Sequence, residues 1–209
     1  LFRSKPQNYA LIATNQYSAQ RLYEFFLNFL PEEQVVFFPS DELLRASALS
    51  SSRELLSQRL YALGQLQDTS SKKILITHPS ALLRYLPSPK QFKEETLCFQ
   101  VGDHCDLKQL KARLLDAGYT ANSKVEHSLQ YASRGDILDV YSVSYLDPIR
   151  IEFFDDEIEE IKLFDIQTQQ SKQNLSSCVI LPATDMLLSD DQITAFVKKA
   201  SEMQKEGQE

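Results

Sequence analysis

Apolar positions in the first 88 residues follow two spacings that take turns along the chain. "YALIAT" (Tyr9 to Thr14) is an apolar run of strand length, and Leu22, Phe25, Phe26, Phe29 and Leu30 then recur at helical spacing. "QVVFF" (Gln34 to Phe38) predicts a second strand. Leu56, Leu60 and Leu63 predict the helix behind it, opened by "SSRE" (Ser51 to Glu54) at the spacing of a capping box. "KILITH" (Lys73 to His78) predicts a third strand, followed by a short helix through Leu82 and Leu83. Strands alternating with helices predict a parallel sheet wrapped by helices, the α/β class.

After "LPSPKQF" (Leu86 to Phe92), where two prolines mark a boundary, the pattern changes. "ETLCFQV" (Glu95 to Val101) is strand-like. Asp106 can cap a helix with Leu107, Leu110 and Leu114 on one face, and Gly118 ends it. "DILDVYSV", "IRIEFF" and "IEEIKLF" then follow with connections so short that they can join only antiparallel neighbours, a β-meander. The expected organisation is an α/β domain over 1–88, an inserted α+β domain over 89–181, and a segment 182–209 that returns to the first domain. That last segment is helix-like from Asp190 to Gln204.

Composition narrows the chemistry. A 209-residue chain that is 43% hydrophobic can close one large core or two modest ones. Lys and Arg total 22 against 29 Asp and Glu, so a net charge of -7 gives no overall attraction to nucleic acid. Cys98, Cys105 and Cys178 are odd in number and lack C-x-x-C spacing, which predicts neither a disulfide framework nor a zinc site and fits a reducing cytoplasm. No apolar run reaches the roughly 18 residues of a membrane span. Leu1 opens no signal segment, and the lack of an initiator Met suggests a piece of a longer protein.

Asp155, Asp156, Glu157, Glu159 and Glu160 form a dense acid cluster. The first three fall at an expected hairpin turn, where acidic side chains are solvated, and no His lies near enough in sequence to build a metal-ligand set. His78, His104 and His127 are scattered, and Ser50, Ser51 and Ser52 lack a nucleophile elbow. Neither G-x-x-x-x-G-K-[ST] nor G-x-G-x-x-G occurs, so no loop cradles phosphate, and neither cofactor nor metal is expected. Strand alternation is more telling. Arg150, Glu152 and Phe154 share one face, Ile151 and Phe153 the other. With Ile151 and Phe153 turned to the core, an outward Phe flanked by Arg and Glu has the make-up of an interface hot spot. An intrasheet Arg–Glu pair with Phe154 partly buried accounts for the same pattern.

"SRGDILDVYSV" (Ser133 to Val143), "RIEFFDDEI" (Arg150 to Ile158), "FDIQTQQS" (Phe164 to Ser171) and "ILPATD" (Ile180 to Asp185) together resemble the UvrB-like N-terminal region of the bacterial transcription-repair coupling factors, the Mfd family. The resemblance extends back to Tyr9. It implies a degenerate helicase-like α/β domain without a P-loop, holding an inserted domain that binds the repair protein UvrA. Arg134, Arg150, Glu152 and Phe154 carry over as UvrA contacts. It also implies a cytoplasmic protein that recruits excision repair where RNA polymerase stalls, with polymerase, DNA and ATP handled by other parts of the full-length protein. A UvrB-like DNA-binding module is the rival reading, and the net acidity counts against it.

Overall fold

The computed structural model describes residues 7–40, 53–83 and 85–187, with Thr194, Val197, Lys198 and Lys199 as further helical positions. The capping-box Ser51 and most of the expected helix between Asp190 and Gln204 lie outside the described residues.

Three parallel strands, β1 (Tyr9–Ile12), β2 (Val35–Phe37) and β3 (Ile74–Thr77), form the first sheet in the order β1-β3-β2. Helix α1 (Gln16–Leu27) starts where the Asn15 side chain accepts the Ser18 N–H, closing one of the donors a helix start leaves open. Ala19, Leu22, Tyr23 and Phe26 of α1 pack on Val35, Ile74 and Ile76. Phe25 and Phe29, expected on the buried stripe, stay on the solvent side, because each stands one position back from Phe26 and Leu30 and is rotated by about 100° per residue. Helix α2 (Arg53–Gln67) covers the opposite side of the sheet through Ala62 and Leu63 against Val36, Phe38 and Leu75. A short helix, α3 (Pro79–Leu82), follows β3.

From residue 89 the chain builds a different layer. Helix α4 (Pro89–Glu95) opens with a complete capping box between Ser88 and Gln91 and leads into β4 (Leu97–Gln100). Helix α5 (Leu107–Asp116) starts at Asp106, whose carboxylate accepts the Lys108 and Gln109 N–H groups, and stops before Gly118 at φ 92°. The strands β5 (Thr120–Ala121), β6 (Gln130–Arg134), β7 (Ile137–Val140), β8 (Ile149–Phe154), β9 (Glu157–Phe164) and β10 (Ser171–Leu175) form a six-stranded sheet in the order β10-β9-β8-β7-β6-β5. It is antiparallel except for the β5–β6 pair. β11 (Ser177–Ile180) returns to pair with β4.

The expected meander is thus the centre of a wider sheet. β10 escapes the sequence pattern because "SKQNL" is an edge strand, almost wholly exposed and without alternation. The inner face of the sheet carries Leu138, Val140, Ile149, Ile151, Phe153, Ile158 and Ile161. These meet Leu110 and Leu114 of α5 and Phe92 of α4.

That core does not stop at the expected boundary. Leu60 of α2 belongs to it, with Leu56 and Leu63 packed alongside. A Cβ on Gly64 would lie 2.5 Å from Leu181 Cδ1, so glycine is what lets α2 approach the exit of β11. Below this contact Arg59 and Asp185 form a fully buried ion pair, Nε to Oδ2 at 2.8 Å. Arg59 Nη1 also donates to the Pro39 carbonyl at 2.8 Å, and the guanidinium lies 4.3 Å over the Phe38 ring.

Breaking this pair strands a charge in an apolar setting, so Arg59→Ala is expected to cost about 3–5 kcal/mol in urea denaturation. Arg59→Met combined with Asp185→Leu should recover most of the loss, and an equally unstable double variant would show that the ion pair is not the cause. His78 adds a pH dependence. It is buried, and desolvation lowers its pKa from 6.5, so the unfolded chain takes up the proton first as pH falls. The neutral-His contribution is complete above the unfolded value and is lost progressively below it. His78→Gln should flatten the fall in melting temperature between pH 7 and 5 (about the range in which a His of ordinary pKa titrates).

Candidate functional site

The outward face of the six-stranded sheet follows from register. Arg150 on β8 stands opposite Asp139 on β7 and Lys162 on β9, and Glu152 stands opposite Glu160. Burial along β8 alternates as the sequence predicts, with Ile149, Ile151 and Phe153 inside and Phe154 69% exposed.

Arg150 is not the free cation that an outward position suggests. Its Nε and Nη2 donate to the two Asp139 oxygens at 2.7 and 2.8 Å, a bidentate pair with side chains only 17% and 16% exposed. Nη2 also donates to Gln169 Oε1 at 3.0 Å. The guanidinium lies 4.2 Å from the centroid of Phe164, which is buried on this outer face beneath it rather than in the core. Asp139 first, through its hydrogen bond, raises the Arg150 pKa further.

The turn after β9 is built to present Gln169. Asp165 accepts the Gln167 and Thr168 N–H groups and takes a 3.2 Å ion pair from Lys172, with the Thr168 bond leading the causes that push its carboxyl down to about 2. Gln169 itself adopts φ 61°.

The alternative reading, an Arg150–Glu152 pair, gives way to two separate matches. Glu152 pairs instead with Lys162 at 2.6 Å, which also holds Glu160 at 2.9 Å, and these two carboxylates, Glu152 first, raise the Lys162 pKa. Phe154 and Arg134 are exposed. Phe153 N–H donates to the Asp136 carbonyl at 2.9 Å, which places the end of β8 against the β6–β7 turn, so Phe154 and Arg134 share one end of the sheet. The acid turn lies there too: Asp155 takes φ 54°, and Asp156 binds the His104 ring at 3.1 Å and the Cys105 N–H at 2.7 Å. Among the described residues no group of His, Cys, Asp and Glu could hold a metal ion.

All four sequence-predicted residues therefore sit on the outer sheet face or at its end, but in two states. Phe154 and Arg134 are exposed; Arg150 and Glu152 are held by neighbours. A shallow depression of about 430 Å³ opens between Lys124, Arg134, Ile137, Asp139 and Arg150. Asp139, Phe164 and Gln169 were missed by the sequence reading. Cross-strand partners are named by register, so Asp139 and Phe164, though inside predicted strands, and Gln169, just beyond one, carried no signal of their contact with Arg150.

Residues 97–186 match the family model described as the UvrB interaction domain. Over this stretch the chain resembles a UvrB interaction domain. Nine tenths of it also aligns with proteins named transcription-repair-coupling factor, confirming the resemblance read from the motifs. The relative from Staphylococcus aureus (strain bovine RF122 / ET3-1) is 30% identical over 187 residues, and that from Bacillus subtilis (strain 168) is 30% identical over 189. In each case the alignment covers 90% of this chain and 16% of the relative, so the chain spans a small part of the length of the curated relatives it matches. The matched stretch begins at β4 and runs one residue past Asp185, and so includes the whole six-stranded sheet. No helix among the described residues is long and apolar enough to cross a membrane.

The two states of the face predict two behaviours under mutation. Arg150→Glu sets a carboxylate against Asp139 and unroofs Phe164, and is expected to cost about 2–3 kcal/mol after allowing for partial exposure. Phe154→Ala removes an exposed ring and should change stability by no more than about 0.5 kcal/mol. Denaturant midpoints for the two variants test this contrast, which equal losses would contradict.

Proposed function

We propose that this chain is the UvrA-docking module of a transcription-repair coupling factor, recruiting excision repair to DNA where RNA polymerase has stalled. The observation that carries the reading is the rigid outer sheet face of the UvrB interaction domain. On it an exposed Phe154 and Arg134 stand with Arg150 and Glu152, an aromatic anchor beside two charged groups whose geometry is set before binding. Mimicry is the mechanism: the module presents to UvrA the strand face that UvrB presents. Polymerase, DNA and ATP-driven movement are assigned to parts of the longer protein beyond this chain, and the setting is the cytoplasm.

In this reading residues 1–88 are a degenerate helicase-like domain, 89–181 the inserted docking domain, and 182–209 the return to the first. Within residues 1–88 the one glycine is Gly64, inside α2, so no glycine-rich loop can present backbone N–H groups to phosphates. The chain should neither hydrolyse ATP nor bind it at micromolar concentration, and calorimetric binding in that range would contradict the degenerate-domain assignment.

Docking is tested with Phe154→Ala, because that substitution leaves the fold intact. Loss of a central aromatic anchor costs about 2 kcal/mol or more, which is roughly a 30-fold or greater drop in affinity for UvrA. Unchanged UvrA affinity would remove this face from the interface. Duplex-DNA binding that falls steeply with salt would favour a UvrB-like DNA-binding module instead.

A further inference from the structure

Most charges on the outer sheet face are already matched. Arg150 holds Asp139, Lys162 holds Glu152 and Glu160, and Lys172 holds Asp147 and Asp165. Two cations at the rim of the depression are not. Lys124 follows β5, whose parallel pairing of Ala121 with Tyr131, continued by the Asn122 N–H to the Tyr131 carbonyl at 2.9 Å, lays residues 122–124 beside β6. Arg134 ends β6 at the turn through Gly135. Both side chains are exposed, border the same depression, and have no hydrogen-bond or ion-pair partner among the described residues.

Arg150 cannot substitute for them. One edge of its guanidinium is filled by Asp139, the second Nη2 hydrogen by Gln169, and one planar face by Phe164, so it cannot grip an incoming carboxylate with two parallel bonds. Two like charges left on one depression repel until an anion enters between them, which makes anion binding favourable without breaking any existing pair.

We propose that Lys124 and Arg134 form a two-cation socket for one acidic side chain of the bound protein, with Lys124 a specificity-determining contact beyond the four residues named above. The inference rests on the docking reading for its partner. A carboxylate fits better than nucleic acid. Asp139 borders the socket, and Glu152, Glu160 and the Asp155–Asp156–Glu157 turn continue the face, so a point anion is accommodated where a run of phosphates is repelled.

UvrA titrations of the whole chain compare wild type, Lys124→Glu, Arg134→Glu and Lys93→Glu, with a melting curve for each. Lys93 is an exposed residue next to Phe92, on the far side of the core, so its reversal alters net charge equally without touching the socket. Lys124→Glu and Arg134→Glu should each weaken binding by about ten-fold or more and flatten its salt dependence, while Lys93→Glu stays within about two-fold of wild type. Wild-type affinity in Lys124→Glu, with binding still lost in Phe154→Ala, would overturn the socket and leave the docking reading standing. Equal weakening by Lys93→Glu would reduce the effect to net charge and overturn it as well. Duplex-DNA binding that Lys124→Glu removes would assign the socket to nucleic acid, and a wild-type chain that does not bind UvrA would overturn both proposals.

Discussion

The buried pair between Arg59 and Asp185 joins residues 126 positions apart, and the seating of the six-stranded sheet's layer on the first depends on it. Arg59 belongs to α2, which packs on the parallel sheet, while Asp185 follows the last strand, β11. The guanidinium also takes the Pro39 carbonyl just beyond β2 and rests on Phe38. One side chain therefore gathers the first sheet, its helix and the return of the chain. A buried ion pair of this kind adds little to net stability compared with apolar packing, because desolvation offsets most of the Coulomb gain. Its effect is on specificity. With Leu60 in the shared core and Gly64 against Leu181, alternative seatings of one layer on the other would leave a charge buried without its partner.

The outer face of the six-stranded sheet is built on the same logic at lower burial. Arg150 is held by Asp139 and Gln169 and covers Phe164, so a cation that reads as a contact residue serves first as a roof. Lys162, between Glu152 and Glu160, ties β8 to β9 on the same face. Internal pairing of this sort stiffens the surface before a partner arrives and reduces the ordering cost of association. It also divides the face into groups that shape it and groups free to make new bonds. Affinity changes in the first class mix folding with binding; those in the second do not.

Much of this was legible in the residues themselves. A period of two put Ile151 and Phe153 inside and Arg150, Glu152 and Phe154 outside, and side-chain period is a property of the extended backbone that no neighbour can change. Asp106 as a helix cap and Gly118 as its end were legible for the same reason, since capping acts within one turn. The acid run at 155–157 read correctly as a solvated hairpin turn, a choice made by local geometry.

What the sequence alone left undecided were the facts that depend on which strand lies beside which. Arg150 meets Asp139 rather than Glu152 because register places a carboxylate directly across from it on β7, while Glu152 is taken by Lys162 of β9. β10 shows no alternation, since both its faces are exposed, and it exists because β9 offers it an edge. Arg59 finds Asp185 only when the chain closes on itself. The sequence determined the local choices, which side chain faces in and where a helix starts, because those depend on backbone geometry within a few residues. Only the tertiary structure decided the partners, because a partner is a matter of distance in space, and neither register nor chain closure leaves a periodic trace along the chain.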